Sequence, residues 1–154
     1  MLVPGQVPLL AGADVLPPAR IEAPPATVIP MAIGATAAGV LEDGDSTTPS
    51  SGSLCDHYLI HAAAGEPFTI VARGGPSTES ASARLDMYLY LLFDGVELTH
   101  DDDGASSGGA LNSRIVWTPA RAGTYVIRVT TFGSGQHHGR YVLQTFPGAL
   151  PTQL

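Results

Sequence analysis

From about Gly39 onward, apolar side chains recur at every second position, the period of a strand with one buried face. Tyr58 and Ile60 alternate with His57, Leu59 and His61. Phe68, Ile70 and Ala72 alternate with Thr69, Val71 and Arg73. Met87, Leu89 and Leu91 share one face, with Tyr88 and Tyr90 on the other. Ile115 and Trp117 follow, then Tyr125, Ile127 and Val129 against Val126, Arg128 and Thr130. Last come Tyr141 and Leu143 against Val142 and Gln144. Turn clusters separate these runs: Ala64-Gly65-Glu66-Pro67, Gly74-Gly75-Pro76, Asp94-Gly95, Ala122-Gly123 and Gly133-Ser134-Gly135. No segment sustains a helical period. The pattern predicts an all-β fold of about seven or eight short strands, an antiparallel β-sandwich. Residues 38–147 are expected to form it, with 148–154 as a C-terminal tail.

The first 37 residues read differently. Seven of the 13 prolines fall at positions 4, 8, 17, 18, 24, 25 and 30. Proline removes donors and biases its predecessor away from the α region, so this stretch is expected to be an extended arm, polyproline-like or edge-strand. Leu, Val, Ile and Ala fill the gaps between prolines, and an apolar extended segment seeks a surface. That surface is either its own domain or a neighbouring subunit, as in strand addition. The candidate partner-binding residues are Pro17, Pro18, Ile21, Pro24, Pro25, Val28 and Ile29. Tyr88 and Tyr90 join them, because tyrosines on the outward side of a sandwich strand either lie under the arm or face a partner.

Composition narrows the function. The formal net charge is −7, the seven basic residues are all arginine, and none cluster, which speaks against nucleic-acid binding. Cys55 is the single cysteine, so the fold rests on its core without an intrachain disulfide. Val28–Val40, the longest uncharged apolar run, is too short and too interrupted to span a membrane. The N-terminus lacks a basic region and Asp14 interrupts the apolar stretch, so no signal peptide is expected. The expectation is either that the numbering starts after processing or that the chain leaves its cell by another route, for instance within a larger particle such as a virion.

The candidate chemistry lies in Leu85–Ser113, a hairpin followed by an acidic loop. If the turn centres on Asp94, Asp86 falls opposite roughly Asp102. Asp86, Asp101, Asp102 and Asp103 then gather at one end of the ribbon, and like charges facing across strands need compensation. With Asn112 they offer the oxygen ligands calcium takes. The structural alternative is a cap in which carboxylates accept loop N–H groups and Arg84 or Arg114 neutralises one of them. His57 and His61 lie on one strand face but about 13 Å apart, too far for one zinc. His100 reads as a surface residue, and His137-His138 as solvated. No nucleophile elbow, HExxH motif or phosphate loop is present, and Cys55 beside Asp56 is disfavoured as a thiolate. The chain is not expected to be an enzyme.

Several motifs together resemble the bacterial pre-peptidase C-terminal domain family, relatives of the collagen-binding domains of clostridial collagenases. They are Gly39-Val40-Leu41 with Gly44-Asp45, Asp56-His57-Tyr58 running to Ala63-Ala64-Gly65, and Leu85-Asp86-Met87-Tyr88-Leu89 into Asp94-Gly95-Val96-Glu97-Leu98. Asp101-Asp102-Asp103 with Asn112-Ser113-Arg114-Ile115, Ala122-Gly123-Thr124-Tyr125 and Gly139-Arg140-Tyr141 complete the set. The resemblance spans about residues 38–146. It implies a jelly-roll-like sandwich that is secreted and non-catalytic. Collagen-binding relatives take calcium near the start of the sandwich, where Glu42, Asp43, Asp45 and Asp56 stand here. The arm lies outside the family pattern. The leading expectation is therefore an extracellular or cell-surface subunit that attaches to itself or to a larger protein surface through its arm. A calcium-dependent module binding carbohydrate or a collagen-like ligand is the alternative, and an accessory domain of a secreted hydrolase the remote one.

Overall fold

The computed structural model describes residues 21–49, 51–78, 84–102, 112–132 and 136–150. These form ten strands and no helix: β1 (Ile29–Pro30), β2 (Thr36–Leu41), β3 (Ser46–Thr47), β4 (Leu54–Ala62), β5 (Phe68–Ser77), β6 (Met87–Phe93), β7 (Val96–Asp101), β8 (Ser113–Trp117), β9 (Gly123–Thr131) and β10 (Gly139–Pro147). Two of these, β1 and β3, are two-residue pieces; six of the eight longer strands carry the alternating runs, β7 is the return strand of the expected hairpin, and β2 begins at Thr36, within the stretch expected as arm. The larger sheet runs β1-β4-β9-β6-β7, with β3 also on β4; the smaller runs β2-β10-β5-β8. The protein is an all-β sandwich.

Alternation explains the core. Tyr58, Ile60, Met87, Leu89, Leu91, Tyr125, Ile127 and Val129 point inward from the larger sheet. They meet Leu41, Phe68, Ile70, Ala72, Ile115, Tyr141 and Leu143 from the smaller one. Each such burial stabilises the fold by about 1.5–3 kcal/mol relative to exposure. Polar contacts at Tyr141 cross this core: the Tyr58 and Tyr141 hydroxyls lie 2.7 Å apart, and Tyr141 donates to Asp56 Oδ2 at 2.5 Å. Tyr141 fits because it pairs with Gly39 across β2–β10, where an added Cβ would stand 2.2 Å from its ring.

The acidic hairpin has a different register from the one expected. Phe93 pairs with Val96 across a two-residue turn, with φ 52° at Asp94 and 78° at Gly95, the left-handed pair of a type I′ turn. The pairing then shifts by one: Leu92 faces Glu97, but Leu91 faces Thr99, so Leu98 is the extra residue of a bulge. Leu89 consequently faces Asp101, the last pair of the ladder. Asp86 lies outside the strand and does not face Asp102 as a strand pair. The sequence alternation across Val96, Leu98 and His100 hides that bulge.

The arm-covered outer face

The larger sheet has an outer face, and a row of four side chains crosses it. His57 on β4 pairs with Arg128 on β9, Arg128 with Tyr90 on β6, and Tyr90 with His100 on β7. Alternation alone assigns this row to solvent. Instead His57 and Arg128 are each only 5% exposed. The reason is the arm. Glu22 donates its N–H to the Gly95 carbonyl at 2.9 Å, and its carboxylate pairs with the Arg128 guanidinium. Ile29 and Pro30 then pair in parallel with Tyr58 and Leu59, and Met31 N–H reaches the Leu59 carbonyl at 2.9 Å. The described part of the arm therefore lies along its own domain. Gly95 permits the crossing: a Cβ there would come within 2.6 Å of the Glu22 carbonyl.

Arg128 organises the covered half. Its Nε donates to His57 Nε2 at 3.1 Å, its terminal nitrogens hold Glu22, and its guanidinium carbon stands 5.3 Å from the centre of the Tyr90 ring. A guanidinium can only donate, so His57 Nε2 must accept and the imidazole is neutral with its proton on Nδ1. Burial, reinforced by the Arg128 charge, pushes the His57 pKa down to about 4. That Nδ1 is buried with no hydrogen-bond partner among the described residues, a cost of about 1–3 kcal/mol. Ile21, Pro24, Pro25, Leu92 and Val126 supply the apolar lining of an open pocket of about 500 Å³ beside this cluster, with Glu22, His57 and Arg128 on its polar side. The arm is thus held at a few points over an incompletely filled groove.

The other half of the face is aromatic and open. Tyr88 lies 4.9 Å from Tyr90, 5.6 Å from His100 and 6.0 Å from Phe132, ring centre to ring centre. The His100 and Phe132 planes are tilted only 21° and 24° from that of Tyr88. Phe132 is 52% exposed, and His100 Nδ1 makes an exposed hydrogen bond with Glu97 Oε2 at 2.7 Å. Of the residues the sequence singles out, Ile21, Pro24 and Pro25 lie over the half that Arg128 organises and Tyr88 and Tyr90 belong to the other half, whereas Ile29 pairs with Tyr58 at the β4 edge and Val28 immediately precedes that strand. Pro17 and Pro18 lie outside the described residues. Sequence reasoning missed Arg128, Glu22 and Phe132; the signal available was an isolated arginine in an otherwise apolar strand.

The acids divide into separate roles. Asp101 Oδ2 accepts the Arg114 N–H at 2.8 Å, and Asn112 Oδ1 accepts the Gly74 N–H at 3.2 Å. The Ser113 hydroxyl lies against the carbonyls of Met87 and Asp102. Arg84 and Arg114 reach the carbonyls of Gly74 and Leu150. Among the described residues, no three His, Cys, Asp or Glu side chains gather as metal ligands, and Asp103 lies outside those residues. At the start of the sandwich Asp45 caps the Glu42 N–H at 2.8 Å, and Asp43 pairs with His138 at 2.8 Å, so His138 ties two loops together and is not simply solvated. Asp56, desolvated and with Asp45 beside it, is pushed up to about 6. Cys55 is buried, and its thiol is pushed up to about 11, which makes it a poor nucleophile.

Against solved structures, the chain is similar to the pre-peptidase C-terminal domain of a collagenase from Bacillus anthracis. The two share 15% identity over 80% of this chain and 99% of that domain, with a TM-score of 0.50. The chain has the fold of a pre-peptidase C-terminal domain. At that identity the likeness is one of fold. The chain is also similar to a periplasmic inhibitor of g-type lysozyme from Aeromonas hydrophila, at 16% identity over 77% of this chain and 96% of that one, with a TM-score of 0.45. No family model matches the sequence, and no curated protein does.

Proposed function

We propose that this protein is a non-catalytic, extracellular subunit that assembles with copies of itself through its proline-rich N-terminal arm. The observation that carries this reading is the seating of Ile21–Pro30 on the outer sheet face. That face accepts an extended proline-containing chain by one backbone bond at Gly95, one ion pair at Arg128 and a two-residue parallel ladder on β4. An edge strand that takes a short added strand is a common means of protein attachment. The attachment here is modest, with an open pocket beside it, which suits a segment that exchanges between partners. The structural neighbour is the pre-peptidase C-terminal domain of a collagenase, and the family resemblance of residues 38–146 implies a secreted, non-catalytic sandwich, which supports that part of the reading.

Removing residues 1–20 tests it, because every contact described above stays in place. Light scattering should show a concentration-dependent mass above the monomer for the full chain, and a monomer for the shortened one. A full chain that stays monomeric at every concentration, or a shortened chain that assembles equally well, would overturn the reading.

A further inference from the structure

The aromatic half of the outer face has no described segment of arm upon it, yet it continues the surface on which the arm lies. Arg128 joins the halves, with Glu22 of the arm on its guanidinium and the Tyr90 ring beneath the same group at 5.3 Å. Pro24 and Pro25 already line the covered half. Beyond Arg128 stand Tyr88, Tyr90, His100 and Phe132, with neighbouring ring centres 4.9–6.0 Å apart. Closely spaced aromatic rings on an open face form the kind of groove that receives the ridges of a polyproline helix. Such a helix is already extended in the free chain, so little ordering is needed on docking.

We infer that this aromatic ledge is the receptor for the proline-rich residues 1–20 of a second copy of the chain. The inference rests on the assembly role proposed above and names where the arm of one copy meets another. The segment matches the ledge in chemistry: it carries Pro4, Pro8, Pro17 and Pro18 among Leu, Val and Ala, with only Asp14 and Arg20 charged. Geometry favours a second copy over the same one. Ile21 and Glu22 lie against Gly95, at the turn end of the β6–β7 hairpin. Tyr88 and Phe132 sit toward the opposite end, about 20 Å along the strands at 3.3 Å per residue. To reach them the same chain must reverse direction just before Ile21, where Pro17-Pro18 favour extended backbone.

A complementation experiment separates this inference from the reading it rests on. The donor is the full chain with Phe132→Ser and His100→Ala, both at exposed positions. The acceptor is the chain without residues 1–20, with its ledge intact. Near-UV circular dichroism establishes that each is folded, and Tyr88→Ala in the donor serves as a second ledge variant. Each protein alone should sediment as a monomer, and a 1:1 mixture should give a complex at least tenfold tighter than self-association of either. A donor that assembles as the unmodified chain does, or a mixture that stays monomeric, overturns the ledge as receptor and leaves arm-dependent assembly standing. An acceptor that assembles alone overturns the assembly reading itself.

Discussion

Arg128 and His57 face each other across β9 and β4, and the guanidinium Nε donates to imidazole Nε2 at 3.1 Å. This pair lies on the sheet face that should meet water, and the arm buries it. The unfolded His57 takes up its proton near pH 6.5, whereas the folded one does so only near pH 4. Over that interval the unfolded state binds more protons, so the His57 contribution to stability is complete above about pH 6.5 and is lost as pH falls toward 4. Asp56 acts in the opposite sense: its folded value near 6 exceeds its ordinary 3.8, so acidification from 6 to 4 favours the folded state. Thermal melts at several pH values should show His57→Gln gaining stability relative to the unmodified protein as pH falls from 6.5 to 4. Asp56→Asn should show the reverse drift.

Loss of the Glu22–Arg128 pair should release the arm and spare the sandwich. Glu22→Gln removes the charge that holds a nearly buried guanidinium, but a released arm lets Arg128 hydrate, which limits the global cost to about 1 kcal/mol. Limited proteolysis should then cut within residues 23–28 several times faster, while the melting temperature moves by a few degrees at most. An unchanged cutting rate would show that the backbone contacts at Gly95 and Leu59 suffice.

Gly39 should tolerate no side chain. The Cβ of Gly39→Ala overlaps the Tyr141 ring, whose hydroxyl is fixed by Tyr58 and Asp56, so the ring has no free path aside. Overpacking of this kind costs about 1–3 kcal/mol, and chemical denaturation should show at least that loss.

Tyr141→Phe keeps the ring and removes the hydroxyl. The loss should be about 1–2 kcal/mol, since both a carboxylate bond and a hydroxyl bond disappear. The Tyr141 hydroxyl is also the group that lowers the Asp56 pKa, so NMR titration of the variant should place Asp56 above its present value near 6.

Calcium should leave stability unchanged. Asp101 and Asn112 spend oxygens on the backbone of Arg114 and Gly74. A ligand that binds only the folded state must raise the melting temperature, so millimolar calcium should shift it by less than about 1 °C. A larger rise would restore the calcium-dependent alternative.

The sandwich was legible in the sequence because strand alternation marks a core whichever strands pair. Tyr58, Ile60, Tyr125 and Ile127 declare their inward face by period alone. The outer face was not legible by the same means. His57, Arg128 and Tyr90 sit at solvent-phase positions, and only an arm crossing three strands makes two of them buried. The Leu98 bulge was hidden because its neighbours still alternate, and that one residue redirects the acidic end. Gly39 stood out as part of a motif, but its partner Tyr141 lies about a hundred residues away and is found only through β2–β10 pairing.

The most direct test of arm-to-ledge assembly places a nitroxide at Ala11→Cys in unlabelled protein and mixes it with isotope-labelled chain. Native Cys55 is buried and its thiol is pushed up to about 11, so the label goes to the new site. Signal loss is then read only in the second copy. The account predicts bleaching confined to Tyr88, Tyr90, His100, Phe132 and their neighbours, growing with concentration. Bleaching spread evenly over the sandwich, or none at concentrations where the chain assembles, would contradict it.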